Sequence, residues 1–210
     1  MKKTLSVFLV LVLLFSFVSP ARAESPFVEI ENNVIRLRDD GSEESFSDTI
    51  VDAEVVLNAG EIEYKIKQGP IYTTIESAYI CSLTVHDSQR AAALYGADAD
   101  FPFTLIRLTY TVENQSEKEV RFPGTDCWIV TDMGELVTAK TGPRNGSEDV
   151  PKTLHPGERC TCCLFFSCPD TWPETISFFA LILPRPWAVN GGAWGVTKGV
   201  CFELLENALC

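Results

Sequence analysis

Eight cysteines are the first residues of this 210-residue chain whose chemistry asks for an explanation: Cys81, Cys127, Cys160, Cys162, Cys163, Cys168, Cys201 and Cys210. Four of them make a C-x-C-C-x4-C set between Cys160 and Cys168. Thiolates at such spacing serve zinc or copper(I), oxidise to disulfides, or stay protonated as small buried hydrophobic groups. The set has no C-x-x-C knuckle, and an extended strand sends Cys163 away from Cys162, so no metal site is assigned. Cys160 and Cys162 share a strand face with parallel side chains, and neither neighbouring pair is placed to bridge locally. Partners must come from a neighbouring strand or a facing sheet, where Cys81, Cys127 and Cys201 are the candidates. The disulfide reading and the buried-thiol reading both stand at this point, and a thiol-rich metal-binding or redox-handling extracellular protein is the alternative function they carry.

Acid–base machinery is sparse. The histidines are His86 and His155. His86-Asp87-Ser88 contains the three residue types of a hydrolase triad, but adjacent residues at a strand end cannot converge on one another. Asp98 and Asp100 lie in a Gly, Ala and Asp loop and read as solvated, and His155 reads as an exposed turn residue. With no G-x-S-x-G, no H-E-x-x-H and no phosphate-cradling glycine loop, the chain has no assignable catalytic residue or cofactor and is read as a non-enzyme. The loop Pro184 to Gly195 is different. Arg185, Trp187 and Trp194 offer flat apolar faces with a donor edge, suited to anchoring a protein or a glycan at a cell surface. The competing reading is that one or both tryptophans fold back over the open end of the core; Trp187, beside Arg185, is the one expected to be exposed. Asn114-Gln115-Ser116 and Asn145-Gly146-Ser147 match the glycosylation pattern and read otherwise as turn residues.

The elements that must position these residues are strands. From Phe103 onward, Ile106, Leu108, Tyr110 and Val112 share one face, while Arg107, Thr109 and Thr111 take the other. A polar connection covers Glu113 to Glu119, and a second strand runs from Cys127 to Thr131 before Asp132-Met133-Gly134 turns the chain. Upstream, strands are predicted at 27–30, 34–38, 51–57 and 61–67, the last two as a hairpin across Asn58-Ala59-Gly60, and then over Ile71 to Val85. Gln89 to Tyr95 predicts one short helical turn stopped by Gly96. Further strands are predicted at Arg159 to Cys168, at Thr175 to Leu183, apolar on both faces like a buried central strand, and at Val200 to Leu205. Asp39 to Glu44 lacks the ligand spacing of a calcium loop, and it reads, like Gly142 to Ser147, as a solvated loop. The turn spacing points to an all-β, antiparallel sandwich with one short helical turn.

Met1-Lys2-Lys3, the apolar run Leu5 to Val18 and the small residues at Ala21 and Ala23 read as a cleaved secretory leader, 1–23. The mature chain is therefore expected to be secreted, with no membrane span. The formal charge of −12 becomes about −15 when Lys2, Lys3 and Arg22 leave, with 29 acids facing the remaining 14 of 17 bases. Such a surface repels phosphate backbones, which excludes nucleic acid as the expected partner.

Val112-Glu113-Asn114-Gln115-Ser116, then Asp132-Met133-Gly134, then Leu154-His155-Pro156-Gly157-Glu158 leading through Leu164 and Phe166 to Pro169, carry a resemblance in their order and spacing. The chain resembles the exported bacterial immunoglobulin-like domains of unknown function grouped with the mycobacterial immunoprotective extracellular antigen. The resemblance implies an immunoglobulin-like β-sandwich over 71–210, behind a β-rich extension at 24–70. It brings no catalytic residues. By analogy with immunoglobulin domains it also implies one inter-sheet disulfide drawn from the cysteine cluster, although that family carries small or aliphatic residues where this chain has Cys160, Cys162 and Cys168.

Overall fold

The computed structural model describes residues 28–31, 34–37, 45–47, 49–122, 126–141, 153–172 and 175–204. The expected leader, the charged turn at 39–44, the loop at 142–147 and Cys210 lie outside them. In chain order the strands are β1 (Val28–Glu31), β2 (Val34–Leu37), β3 (Ser45–Ser47), β4 (Val51–Ala59), β5 (Tyr64–Gln68), β6 (Ile71–Val85), β7 (Phe103–Asn114) and β8 (Val120–Arg121). There follow β9 (Trp128–Thr131), β10 (Leu136–Thr138), β11 (Lys140–Thr141), β12 (Thr153–Leu154), β13 (Arg159–Cys168), β14 (Phe178–Leu183), β15 (Trp187–Ala188) and β16 (Lys198–Leu204). One sheet runs β1-β2-β16-β14-β9-β10, a second runs β11-β13-β7-β6-β4-β3 with β5 also on β6, and a small third is β12-β8-β15. Among the described residues every strand pairing is antiparallel except that of β16 with β2. No helix among the described residues is long and apolar enough to cross a membrane.

The period-two pattern explains the core. Ile106, Leu108, Tyr110 and Val112 of β7 are fully buried, as is Phe166 of β13, and they meet Ile35, Ile129, Phe179 and Phe202 of the other sheet in one cluster. Phe179 and Phe202 stack with centroids 4.5 Å apart. Each such side chain contributes roughly 1.5–3 kcal/mol by leaving water. A one-residue slip would turn the whole set outward, so the register is strongly determined.

Four expectations change. The strands at 51–57 and 61–67 do not form a hairpin: β4 pairs with the second half of β6 and β5 with its first half. The fifteen-residue β6 is long enough to take both, and the real hairpin closes at the two residues between Gln68 and Ile71. β7 and β9, read together in the sequence, belong to different sheets. β14 is central in its sheet but buried on one face only, with Phe178 41 % exposed on the other. Residues in 24–70 supply strands to both large sheets, and a boundary after 70 would cut the β5–β6 hairpin.

The helical turn is present as Ser88–Arg90 continuing into a π-helical Ala91–Tyr95, capped by Asp87 and stopped by Gly96 in the left-handed conformation. It covers a satellite core of Cys81, Leu83, Val85 and Phe103 on the outer face of the β6–β7 sheet.

Candidate functional site

The small sheet carries the tryptophan loop. Register places Thr153, Arg121 and Trp187 in one row across β12, β8 and β15, with Leu154, Val120 and Ala188 in the next. Because neighbours on a strand face opposite ways, Leu154 and Val120, both fully buried, anchor the sheet to the core while the Thr153–Arg121–Trp187 row faces out. Trp187 is 39 % exposed, and the Arg185 guanidinium lies 4.3 Å over its ring. Trp194 is half-buried and packs on the main core. The two competing readings therefore divide: Trp194 covers the core and Trp187 faces water.

A buried amide holds this loop in place. Gln68 at the end of β5 is fully buried, and its Nε2 donates to the carbonyls of Leu183 (3.1 Å), Pro184 (3.2 Å) and Val196 (3.0 Å). Within the loop, Trp194 N donates to Pro186 O and Ala188 N to Gly192 O. Arg121 and Gln68 escaped the sequence reading. β8 is two residues long and has no period to detect, and an interior glutamine reveals its role only through partners more than a hundred residues away.

The cysteines separate by face. Cys160, Cys162 and Cys168 point into the core and Cys163 points out, as the strand period requires. The sulfurs of Cys160 and Cys162 are 3.8 Å apart, and the Tyr110 hydroxyl hydrogen-bonds with Cys162. Of the candidate partners, only Cys127 shares this interior. Cys81 lies under the helical turn on the outer face of one sheet, and Cys201 is exposed on the outer face of the other. None of the seven described cysteines is in a disulfide, so the expected inter-sheet bridge is not observed. Among the described residues no three His, Cys, Asp or Glu side chains are grouped to hold a metal ion. Burial pushes the thiols of Cys81 and Cys127 up to about 12, and that of Cys168 up as well, which disfavours the thiolate that binds metals or attacks disulfides.

His86 does not serve a triad, because both ring nitrogens are taken by carboxylates: Nδ1 lies 2.7 Å from Asp100 and Nε2 2.9 Å from Asp52. Asp87 caps the helical turn instead, and Asp98 is exposed. A neutral imidazole has one N–H and can serve one carboxylate, so this geometry is that of an imidazolium. The hydrogen bond to Asp100, then that to Asp52, raises the His86 pKa above its ordinary value. A raised folded pKa means stabilisation that is complete below the unfolded value, about 6.5, and lost as pH rises through the folded value. Urea unfolding of the parent and of His86→Gln should therefore differ most near pH 5.5 and converge toward pH 9. A gap that does not change with pH would remove the assignment.

His155 is exposed and paired with Glu119 at 2.9 Å, in keeping with a turn residue. Asn114 is not a glycosylation acceptor. It is fully buried, and its Nδ2 donates to the carbonyls of Lys118, Leu154 and His155.

No family model and no curated protein matches the chain. Among solved structures, a functionally unknown protein from Listeria monocytogenes EGD-e superposes with a TM-score of 0.56 at 11 % identity, over 72 % of this chain and 86 % of that one. The yjhA protein of Bacillus subtilis follows at 0.46 and 13 % identity, over 70 % and 100 %. An uncharacterised β-sandwich protein of Clostridium difficile 630 gives 0.40 and 14 %, over 68 % and 90 %. The Listeria likeness speaks to fold alone, and with the sheet topology above it closes that question: the chain is an all-β sandwich of mainly antiparallel strands with one short helical turn.

Proposed function

We propose that this chain is an exported, non-catalytic, immunoglobulin-like binding module whose contact surface is the loop bearing Arg185 and Trp187. The leader-like segment 1–23 and the resemblance to exported immunoglobulin-like domains support the placement outside the cell. The observation that carries the contact surface is the contrast between the tryptophans: Trp194 packs on the core, while Trp187 stays 39 % exposed on a framework tied down by a buried amide. An exposed indole held rigidly loses little entropy on binding, which is the property of an anchor residue.

The two tryptophans should respond differently to alanine. Trp187→Ala is expected to reduce adsorption to purified bacterial cell-wall glycan at least tenfold and to leave the melting temperature nearly unchanged. Trp194→Ala is expected to cost about 2–3 kcal/mol of stability by opening the core edge it covers. Full adsorption by a folded Trp187→Ala chain would refute this contact surface.

A further inference from the structure

We infer that the outward face of the small sheet takes a sugar carrying a single carboxylate, with Arg121 as a contact residue beside Arg185 and Trp187; this rests on the binding reading above. Arg121 stands directly opposite Trp187 in the register, so the two side chains leave the same face with Cβ atoms about 5 Å apart. Arg185 reaches the same ring at 4.3 Å. Stacking on a ring leaves the in-plane N–H groups of a guanidinium available, and its planar fork matches a carboxylate in bidentate fashion. Among the described residues no acidic side chain forms a salt bridge with either guanidinium. In a chain with 29 acids and 17 bases, two guanidiniums beside one indole concentrate positive charge on a surface that is negative overall.

The charge count also sets the ligand's charge. Two cations suit one carboxylate, whereas a polyanion would extend past them onto a surface with an excess of carboxylates and be repelled. The shape favours a sugar over a peptide. The row Thr153–Arg121–Trp187 is flat, and on the side of β15 away from β8 the bridge from Trp187 to Ala193 already occupies the backbone that an added strand would need. A flat indole offers a pyranose ring a stacking face, the Thr153 hydroxyl can bond to ring hydroxyls, and the two guanidiniums hold the carboxylate.

The test uses the purified chain with a trisaccharide ending in glucuronate and its counterpart ending in glucose, read by calorimetry and by tryptophan fluorescence at low salt. The glucuronate sugar is expected to bind at least fivefold tighter. Arg121→Gln and Arg185→Gln should each remove most of that advantage, and Trp187→Ala should weaken both sugars. Arg121→Lys, which keeps the charge and loses the fork, should retain part of the advantage. Equal affinity for the two sugars, or tighter binding of an acidic hexapeptide than of the glucuronate sugar, overturns the carboxylate-sugar inference and leaves the contact surface standing. If neither sugar binds while Trp187→Ala still abolishes cell-wall adsorption, the inference again fails alone. If neither sugar binds and adsorption is independent of Trp187, both fail.

Discussion

Asn114→Ala is expected to destabilise the chain by about 3–4 kcal/mol and to lower its melting temperature by roughly 10 °C. One side-chain amide serves three carbonyls with its two N–H groups, one of them shared: Nδ2 lies 2.8 Å from Lys118 O, 3.0 Å from Leu154 O and 3.1 Å from His155 O. On its other side Oδ1 accepts from Ser116 N and Ser116 Oγ. Alanine removes all of these at once. The Leu154 carbonyl is buried and would bear a full desolvation penalty of about 1–3 kcal/mol, while the other two, partly reachable by water, would bear less. Asn114→Asp sharpens the experiment. It keeps the acceptor for Ser116 but aims a carboxylate oxygen at three carbonyl oxygens, so at pH 7 it should be less stable than the alanine variant and should recover on acidification. An alanine variant within 1 kcal/mol of the parent would show that these bonds do not organise the region.

That amide also ties together two separated pieces of the sequence. Val112 to Ser116 and Leu154 to Glu158 lie forty residues apart, yet Asn114 bonds to the carbonyls of Leu154 and His155, Asn114 N donates to Glu158 O, and Gly157 N donates to Asn114 O. The two motifs form a single junction, where β7 leaves its sheet and the chain that leads into β13 enters the same sheet.

What was legible in the chain follows from this distinction between local and remote causes. The bounds of β6 and β13 can be read from local signals, because Gly69-Pro70 precedes Ile71, and Pro156-Gly157 and Pro169 bracket β13. The β6 run is rich in Thr, Ile and Tyr without Gly or Pro, although its burial loses the period of two where its pairing with β7 shifts register between Ile75 and Ser77. The inward aim of Cys160, Cys162 and Cys168 follows from the same period, and the helical turn from an alanine-rich run ended by Gly96. Pairing is another matter. β4 and β5 looked like a hairpin because they are adjacent and both alternate, and only the length of β6 lets it take both. Cys81 and Cys201 looked like bridge partners because an even count in a chain with a leader-like start invites pairing, yet their strands turn them outward. For the proposed contact surface, Trp187 and Arg185 were visible as an unusual loop composition. Arg121 was not, since its neighbour across the sheet is sixty-six residues away and a two-residue strand has no pattern of its own.

Gly69→Ala should have the second large effect, and it reaches the proposed contact surface without touching it. Gly69 opens the two-residue turn between β5 and β6 with φ +61°, a left-handed conformation that costs an L side chain about 1–2 kcal/mol. Space is the greater obstacle. A Cβ at this position would overlap the backbone carbonyl oxygen of Trp194, and at Gly195 one would come within 3.0 Å of Gln68 C. The two chains thus meet backbone to backbone, with glycine on both sides. A backbone carbonyl cannot rotate aside as a side chain would, so the Trp194 segment must move away, and the bonds from Gln68 to Leu183, Pro184 and Val196 stretch with it. The strained dihedral and the displacement together predict a loss of about 3–5 kcal/mol. Hydrogen exchange should rise across residues 184–196 more than in β7 or β13, and cell-wall adsorption should fall although Arg121, Arg185 and Trp187 are all present. A Gly69→Ala chain that keeps both the parent's melting temperature and its exchange protection at 184–196 would mean that the tryptophan loop is held by something other than the β5–β6 turn.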